Sequence, residues 1–433
     1  MTKGLLIGAI SSNSGKTLIT LGLIGALKNK GLKIAPFKVG PDYIDGQFLA
    51  LSAMEPTFNL DSFAFEKNHL EGLAYQGAKN ADLMVVEGVM GLFDGAAKNG
   101  KGSSADVAQK LNLPIILVVD CSKMAQSIAP LIFGFKNYDK GVNIAGVILN
   151  KVGSPRHEKM LRDALKGQNI KIFGVFYQNE DLKIPSRHLG LTLPNEIKNA
   201  QNLIKNAAEI ISKSVDLEAI INLAKPIKKT EFISNIAPLG QHIAIAKDSA
   251  FAFIYEHILL DWKKQGAKIS FFSPLNNEVP DVKADAVFLP GGYPELYAKQ
   301  ISNADNFFKG LKDARNRDAL IYGECGGFMV LGEAIIDKYG ESHKMSGLLP
   351  ITSTINSPKR ILGYRYLTHN SSLPFTENLI AHEFHYSMVS GNNLPALFKA
   401  RDSMGNELPA MGAQRGKVMG SYAHVICVGQ ERK

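Results

Sequence analysis

A cysteine set between glycines, in Gly323-Glu324-Cys325-Gly326-Gly327, is a pattern that can do nucleophilic chemistry. Its surroundings, Ala319–Met329, read as strand, tight turn and helix, the thiol counterpart of the Gly-x-Ser-x-Gly nucleophile elbow. Such a turn is sharp and its neighbours pack closely, which is why glycines flank the nucleophile. The helix start after Cys325 favours a thiolate, so a lowered thiol pKa is expected. The Gly326 N–H can face a developing oxyanion, and Gly291-Gly292, in Leu289-Pro-Gly-Gly-Tyr-Pro-Glu295, can supply a second donor. Acyl transfer by a thiol wants a histidine base. Of the 10 histidines, His424 in Gly420-Ser-Tyr-Ala-His424-Val-Ile is the best placed, late in the second half after a candidate strand. His382 and His385 read as structural or substrate-facing, and Cys427 as core filler. The competing reading of Cys325, an inert buried thiol, does not require this setting.

A second constellation opens the chain. Gly8-Ala-Ile-Ser-Ser12-Asn-Ser14-Gly15-Lys16-Thr17 follows an apolar run and opens a helical one, the context of a phosphate-binding loop. Backbone N–H groups at such a loop point at phosphates, and the helix dipole favours negative charge there. Lys16 adds a cation for the β- and γ-phosphates of ATP, and the Thr17 hydroxyl can ligate Mg²⁺. The standard spacing has Gly five residues before Gly15, where this chain has Ile10. Carboxylates complete the picture. Asp42 and Asp45 lie in Lys38-Val-Gly-Pro-Asp42-Tyr43-Ile-Asp45, and Glu87 and Asp94 in Glu87-Gly-Val-Met-Gly-Leu-Phe-Asp94. At the carboxyl ends of parallel strands such groups border a nucleotide crevice, and Mg²⁺ needs one or two of them. Thr17, Asp45 and Glu87 are the candidate metal ligands. Ser12, Ser14, Gly15, Lys16 and Thr17 are the candidate ATP contacts, and Lys38, Asp42, Tyr43 and Asp94 the candidate substrate-side groups. For Asp42 and Asp94 the competing reading is turn formation beside Gly. Glu87 ends an apolar strand, which favours function.

Both constellations need strands to hold them. Candidate strands are Leu5–Ile10, Ile34–Lys38, Leu83–Glu87, Ile115–Asp120, Ile144–Asn150 and Ile172–Val175. Several are continuous apolar runs, the pattern of strands buried on both faces. Helical stretches such as Thr17–Asn29 and Ala125–Phe135 lie between them, so a parallel sheet with helices on both sides is expected. A seam follows at 225–240, with two prolines and a charge cluster. The expected division is a P-loop domain over 1–228, a linker over 229–240 and a second α/β domain over 241–433. The second series has strands at Ile243–Ala246, Lys268–Ser273, Ala286–Leu289 and Ala319–Tyr322. Beyond Gly340 short segments suggest an antiparallel extension ending near Met419–His424.

Composition narrows the function classes. The 433 residues are 45% hydrophobic and 21% charged, an ordinary globular balance. An odd count of 3 cysteines fits a reducing compartment, and no apolar run is long enough to span a membrane, so a soluble cytoplasmic protein is expected. The formal charge of +9 suits anionic partners such as nucleotides or polycarboxylates, or a lysine-rich solvated surface. No basic block points to nucleic acid.

These residues, in this order, resemble the glutamine-dependent cobyrinic acid and hydrogenobyrinic acid a,c-diamide synthase family. The resemblance covers essentially the whole chain. It includes the Ser-Gly-Lys-Thr loop, Lys38–Asp45, Asn59-Leu-Asp61, Glu87–Gly95, Asn150–His157, Ile184–Leu191, Lys247–Phe253, Gly291–Glu295, Gly323–Gly327, Leu362–Arg365, His382–Tyr386 and the His424 segment. It implies an N-terminal P-loop parallel-sheet domain similar to dethiobiotin synthetase and a C-terminal class I glutamine amidotransferase-like α/β domain. Cys325 matches the glutaminase nucleophile and His424 its base. Many class I glutaminases carry Glu two residues after that histidine; Ile426 stands here, so a Cys-His pair without an acidic orienter is expected. Where the family has Pro and His after Asp45, this chain has Gly46 and Leu49.

The implied reaction is ATP- and glutamine-dependent amidation of the a and c acetate carboxylates of a corrinoid polycarboxylate through an acyl phosphate. Mg²⁺ is the implied cofactor, and a homodimer is compatible with the resemblance. The competing readings are amidation of a related tetrapyrrole, as by nickel-sirohydrochlorin a,c-diamide synthase or cobyric acid synthase, a P-loop ATPase switch, and a degenerate amidotransferase scaffold.

Overall fold

A computed structural model describes residues 1–429 apart from 97–99, 180–181, 183, 185, 188–189, 357–358, 377 and 392. The chain divides into two compact units, Met1–Ile233 and Ser234–Lys433.

The first unit is built on a twisted sheet whose strands are β1 (Lys3–Ala9), β2 (Ile34–Val39), β3 (Phe58–Leu60), β4 (Leu83–Glu87), β5 (Ile115–Asp120), β6 (Ile144–Val152) and β7 (Lys171–Tyr177). Their order is β3-β2-β4-β1-β5-β6-β7, and each pairs with its neighbours in parallel. All of β2 and β4 and all but the first residue of β1 are buried, as continuous apolar runs require. Strand order reverses on either side of β1, so the loop after β1 opens at the switch point where open α/β sheets bind ligands. Helix α1 (Lys16–Asn29) buries Ile19–Leu27 without a break. It packs against the helix Ala200–Ser214, which buries Ile204, Ala207, Ala208 and Ile211 at helical spacing.

The helix expected at Ala125–Phe135 runs instead from Ile128 to Tyr138. Pro130 then falls in the first turn, where its missing N–H breaks no helical bond. The seam is more ordered than its composition suggests. Lys225 and Pro226 pair antiparallel with β1, and Lys228 reaches the buried Glu71 at 2.6 Å. Asp261 accepts the N–H groups of Asn235 and Ile236 within the second unit.

The second unit has a sheet in the order Lys268–Phe272, His242–Ala246, Ala286–Leu289, Leu320–Glu324, Val418–Ser421 and Ala413–Arg415. The antiparallel extension exists, with Ile361–Thr368, Asn378–His385 and Ala423–Val428 paired side by side. Met419 is not part of it. Val418–Ser421 returns to the main sheet parallel to Leu320–Glu324, buried along its length. The chain therefore changes sheets between Ser421 and Ala423, and His424 is carried on the antiparallel one.

Ile211 has no exposed surface and sits where Ala200–Ser214 meets α1. Ile211→Ala should cost the first unit about 2–5 kcal/mol, by lost burial plus the cavity left. Lys205→Ala on the exposed face of the same helix should stay within about 0.5 kcal/mol. Urea unfolding compares the two, and equal effects would contradict the packing described.

Candidate active sites

The phosphate loop hangs between β1 and α1. Gly15 caps α1 in the left-handed region with φ 84°. The loop is pinned from β6: the Asn150 amide donates to the Ser14 carbonyl at 2.8 Å, and Lys151 donates to the Asn13 carbonyl at 2.9 Å. Lys151 is itself held by Asp120 at 2.6 Å. The Ser14 hydroxyl turns inward to the Ser11 carbonyl, while Ser12 is exposed. Burial lowers the Lys16 pKa, with the nearby Lys38 adding to the effect.

Beneath the loop the chain gathers a buried charge cluster. The Thr17 hydroxyl donates to Glu87 Oε1 at 2.8 Å and lies 3.4 Å from Asp45 Oδ2. Lys38, 1% exposed, places Nζ 2.6 Å from Asp45 Oδ2, 2.8 Å from Glu87 Oε1, 3.2 Å from the Gly88 carbonyl and 3.4 Å from Asp42 Oδ2. Burial works against this ammonium, but Asp45, Glu87 and Asp42 outweigh it and hold its pKa well above the ordinary lysine value. Burial raises Glu87. Burial also opposes the Asp45 charge, yet Lys38 holds this carboxyl below its usual range. Asp42 is pushed up to about 6 by burial, with Asp45 adding to the rise.

Asp45 Oδ1 and Glu87 Oε2 are buried and have no hydrogen-bond partner among the described residues. A hydroxyl and two carboxylates with oxygens to spare suit a hard cation, so Thr17, Asp45 and Glu87 fit Mg²⁺. The Lys38 ammonium supplies the positive charge at that point in this structure.

The other candidates are placed as follows. Asp42 does cap a turn: its Oδ1 accepts the N–H groups of Ile44 and Asp45, opening the helix α2 (Ile44–Ala53), while Oδ2 faces Lys38. Tyr43 is half-buried at the start of that helix. Asp94 is exposed, and its Oδ2 takes the Gly91 N–H at 3.0 Å, a local turn contact. Leu49 has no exposed surface and belongs to the apolar core. Of Ile184–Leu191, residues Pro185, His188 and Leu189 lie outside the described residues. Sequence reasoning assigned no role to Asn59, which donates to the carbonyls of Gly40 at 2.8 Å and Asp42 at 2.9 Å and so fixes the Lys38–Asp45 turn. It missed the same service from Asn150. An Asn within the last three residues of a strand and near a Gly-bearing turn is the signal in both cases.

In the second unit Cys325 has φ 48° and ψ −107°, a strained conformation for a residue with a Cβ, between the strand Leu320–Glu324 and the helix Gly326–Leu331. The elbow fits because Gly327 has no side chain: a Cβ there would lie 1.8 Å from the Leu289 carbonyl oxygen. Gly291 likewise makes room for the base, since a Cβ on it would meet His424 Cε1 at 2.3 Å. A Cβ on Gly326 would stand 3.2 Å from the Gly292 nitrogen, which brings the candidate oxyanion donors together. The Cys325 Sγ lies 3.9 Å from the Phe384 carbonyl oxygen.

The electrostatics correct one expectation. Burial pushes the Cys325 thiol pKa up, not down, and Glu295 of the Gly-Gly-Tyr-Pro-Glu segment adds to the rise. The Gly326 N–H does favour the thiolate, but a helix of six residues at a 6%-exposed thiol does not outweigh desolvation. His424, pushed down to about 3 by burial with His382 and His385 adding, is a neutral imidazole. At rest the two candidate groups are thus a neutral thiol and a neutral imidazole. His385 is tied to Glu383 at 2.9 Å and stacked on Tyr422, and Glu383 is tied to Arg365 at 2.7 Å, so His385 is part of a structural network. His382 lies opposite His424 on the neighbouring strand.

Residues 5–191 match the CobQ/CobB/MinD/ParA nucleotide binding domain, and residues 242–432 the CobB/CobQ-like glutamine amidotransferase domain. Fold and matches together define the class: an ATP-dependent carbon–nitrogen ligase with glutamine as nitrogen donor. Over 424 residues the chain is 47% identical to hydrogenobyrinate a,c-diamide synthase of Rhizobium meliloti (strain 1021), covering 98% of this chain and 99% of that one. It is 40% identical over 430 residues to the enzyme of the same name from Rhodobacter capsulatus, covering 98% of each. The chain belongs to the hydrogenobyrinate a,c-diamide synthase family.

Two predictions follow from the charges. Lys38→Met leaves Asp45 and Glu87 facing each other without a counter-ion. The metal-free protein should lose about 3–5 kcal/mol in denaturant titrations and regain part of it with Mg²⁺. A loss under about 1 kcal/mol would contradict the cluster's role. For the free enzyme, iodoacetamide labelling of Cys325, read by peptide mass, should rise with pH and show no plateau below about pH 9. A plateau near neutral pH would mean that the elbow lowers the thiol pKa after all.

Proposed function

We propose that the chain converts the a and c acetate carboxylates of hydrogenobyrinic acid, or its cobalt-bearing counterpart cobyrinic acid, into carboxamides with Mg²⁺-ATP and glutamine. The observation that carries the reading is the pairing, in one chain, of a buried Thr17–Lys38–Asp45–Glu87 cluster under a phosphate loop with a strained Cys325 elbow. The relatives' shared name supports the ring substrate.

A carboxylate does not react with ammonia, so its oxygen first attacks the γ-phosphorus of ATP, ADP leaves, and an acyl phosphate forms. Lys16 and the loop N–H groups neutralise the moving phosphoryl group. Thr17, Asp45 and Glu87 would hold Mg²⁺, which would supply positive charge to the nucleotide phosphates. In the second unit the Cys325 thiol passes its proton to His424 and attacks the glutamine amide carbon. Gly326 and Gly292 N–H groups face the oxyanion, His424 returns the proton to departing ammonia, and water hydrolyses the thioester to glutamate. Ammonia then attacks the acyl phosphate, and phosphate leaves. Free ammonia is mostly ammonium at neutral pH, which is the chemical reason for local release on the same chain.

No described helix is long and apolar enough to cross a membrane, and a cytoplasmic site of action accords with cysteines that form no disulfide among the described residues. A homodimer is compatible with this reading.

The test is incubation with ATP, Mg²⁺ and either acid, with glutamine or ammonium as donor, reading the product by mass. Cys325→Ala should lose glutamine-dependent activity and keep the ammonium-dependent reaction, whereas Lys16→Ala should lose both by orders of magnitude. Equal loss in Cys325→Ala with both donors, or normal diamide from Lys16→Ala, would refute the assignment.

A further inference from the structure

The elbow contains a carboxylate that the mechanism above leaves unused. Glu324 precedes Cys325 and is 4% exposed. Its Oε1 accepts the Tyr322 hydroxyl and the Val425 N–H, each at 3.1 Å. Those two donors come from either side of the residue: Tyr322 from its own strand, Val425 from the strand that carries His424. Held this way, Glu324 presents Oε2 to His424 Nδ1 at 3.8 Å. Ile426, two residues past His424, is buried and apolar and offers no carboxylate. Its carbonyl is engaged instead by His257 at 2.8 Å.

We infer that Glu324 is the positioning residue of the glutaminase site, drawing the His424 Nδ1–H toward its Oε2 and so reserving Nε2 for the Cys325 proton. The inference rests on the assignment of Cys325 and His424 proposed above. A separation of 3.8 Å is longer than a hydrogen bond, and catalytic contacts of this kind tighten when substrate is bound. The proton balance is simple. The thiol proton moves to Nε2 as the C–S bond forms, and it leaves with ammonia as the C–N bond breaks. Between those events His424 is an imidazolium. Burial holds Glu324 up at about 8, so its carboxyl is mostly protonated at neutral pH and accepts the Nδ1–H fully only once ionised, which rising pH or a positive imidazolium at that distance favours. The pair therefore gains most where charge exists only during the reaction. The position is peculiar to the elbow: the residue before the nucleophile ends a buried strand, so its side chain is fixed by the sheet.

Glu324→Gln tests this. The amide oxygen can still accept from Tyr322 and Val425, but an amide NH₂ then faces Nδ1 and favours the wrong tautomer. Glutamate release should fall roughly 10²–10⁴-fold in kcat, while KM for glutamine shifts less than about threefold and ammonium-dependent amidation is kept. Above about pH 8, where the Glu324 carboxyl is ionised, ¹⁵N-histidine spectra should report His424 as the Nδ1–H tautomer in the parent and shifted toward Nε2–H in Glu324→Gln. Tyr322→Phe, which removes one of the two donors and no charge, should lose less, and it carries the test if Glu324→Gln fails to fold. Glutaminase kcat within about twofold of the parent in a folded Glu324→Gln, or in Tyr322→Phe where the former is unfolded, overturns the inference. If Cys325→Ala also retains glutaminase activity, the assignment of the site fails with it; if only Cys325→Ala is dead, the inference about Glu324 fails alone.

Discussion

The first unit depends on one buried contact, the Lys38 ammonium among Asp45, Glu87 and Asp42. Three carboxylates under a phosphate loop would repel each other and the incoming nucleotide. The strands solve this by burying a cation with them. Lys38 sits near the end of β2 and Glu87 at the end of β4, in register as neighbours, and Asp45 opens a helix that returns over them. Thr17, at the start of α1, joins by its hydroxyl. The arrangement keeps oxygens oriented for a metal while leaving no net unpaired charge large enough to unfold the site. Much of the surrounding detail exists to hold it: Asn59 ties the turn that carries Asp42, and Asn150 ties the phosphate loop.

The second unit uses the opposite electrostatic strategy. The nucleophile and base proposed there are neutral at rest because burial raises the Cys325 thiol and lowers His424. A reactive thiolate in a free enzyme invites oxidation and futile glutamine hydrolysis. A neutral pair acts only when a substrate supplies the electrophile and the oxyanion donors have something to hold. The geometric strain stored at Cys325 accords with that division, since it aims Sγ without charging it.

Much of this was legible in the sequence. Continuous apolar runs marked the sheet because strands covered on both faces leave no polar alternation to blur them. Gly-x-Cys-x-Gly marked the elbow because only glycine permits contacts as short as that of Gly327 with Leu289. What was not legible came from distance and burial. Lys38 and Glu87 are 49 residues apart, and nothing in either segment names the other as partner. The sign of the Cys325 shift was misread because a helix start is a local feature, whereas desolvation depends on the whole unit. Glu324 was hidden for a related reason. Its neighbour His424 reaches it from a second sheet, after a change of direction at Tyr422 that no periodicity announces.

In the proposed reaction ATP phosphorylates a carboxylate above the Thr17–Lys38–Asp45–Glu87 cluster, and all nitrogen chemistry is downstream of this step. The most direct measurement uses substrate labelled with ¹⁸O in its reacting carboxylates, incubated with ATP, Mg²⁺ and glutamine. An acyl phosphate places one carboxylate oxygen in the phosphate released for each amide formed, so labelled inorganic phosphate should match amide mole for mole. Amide formed with unlabelled phosphate would contradict the account.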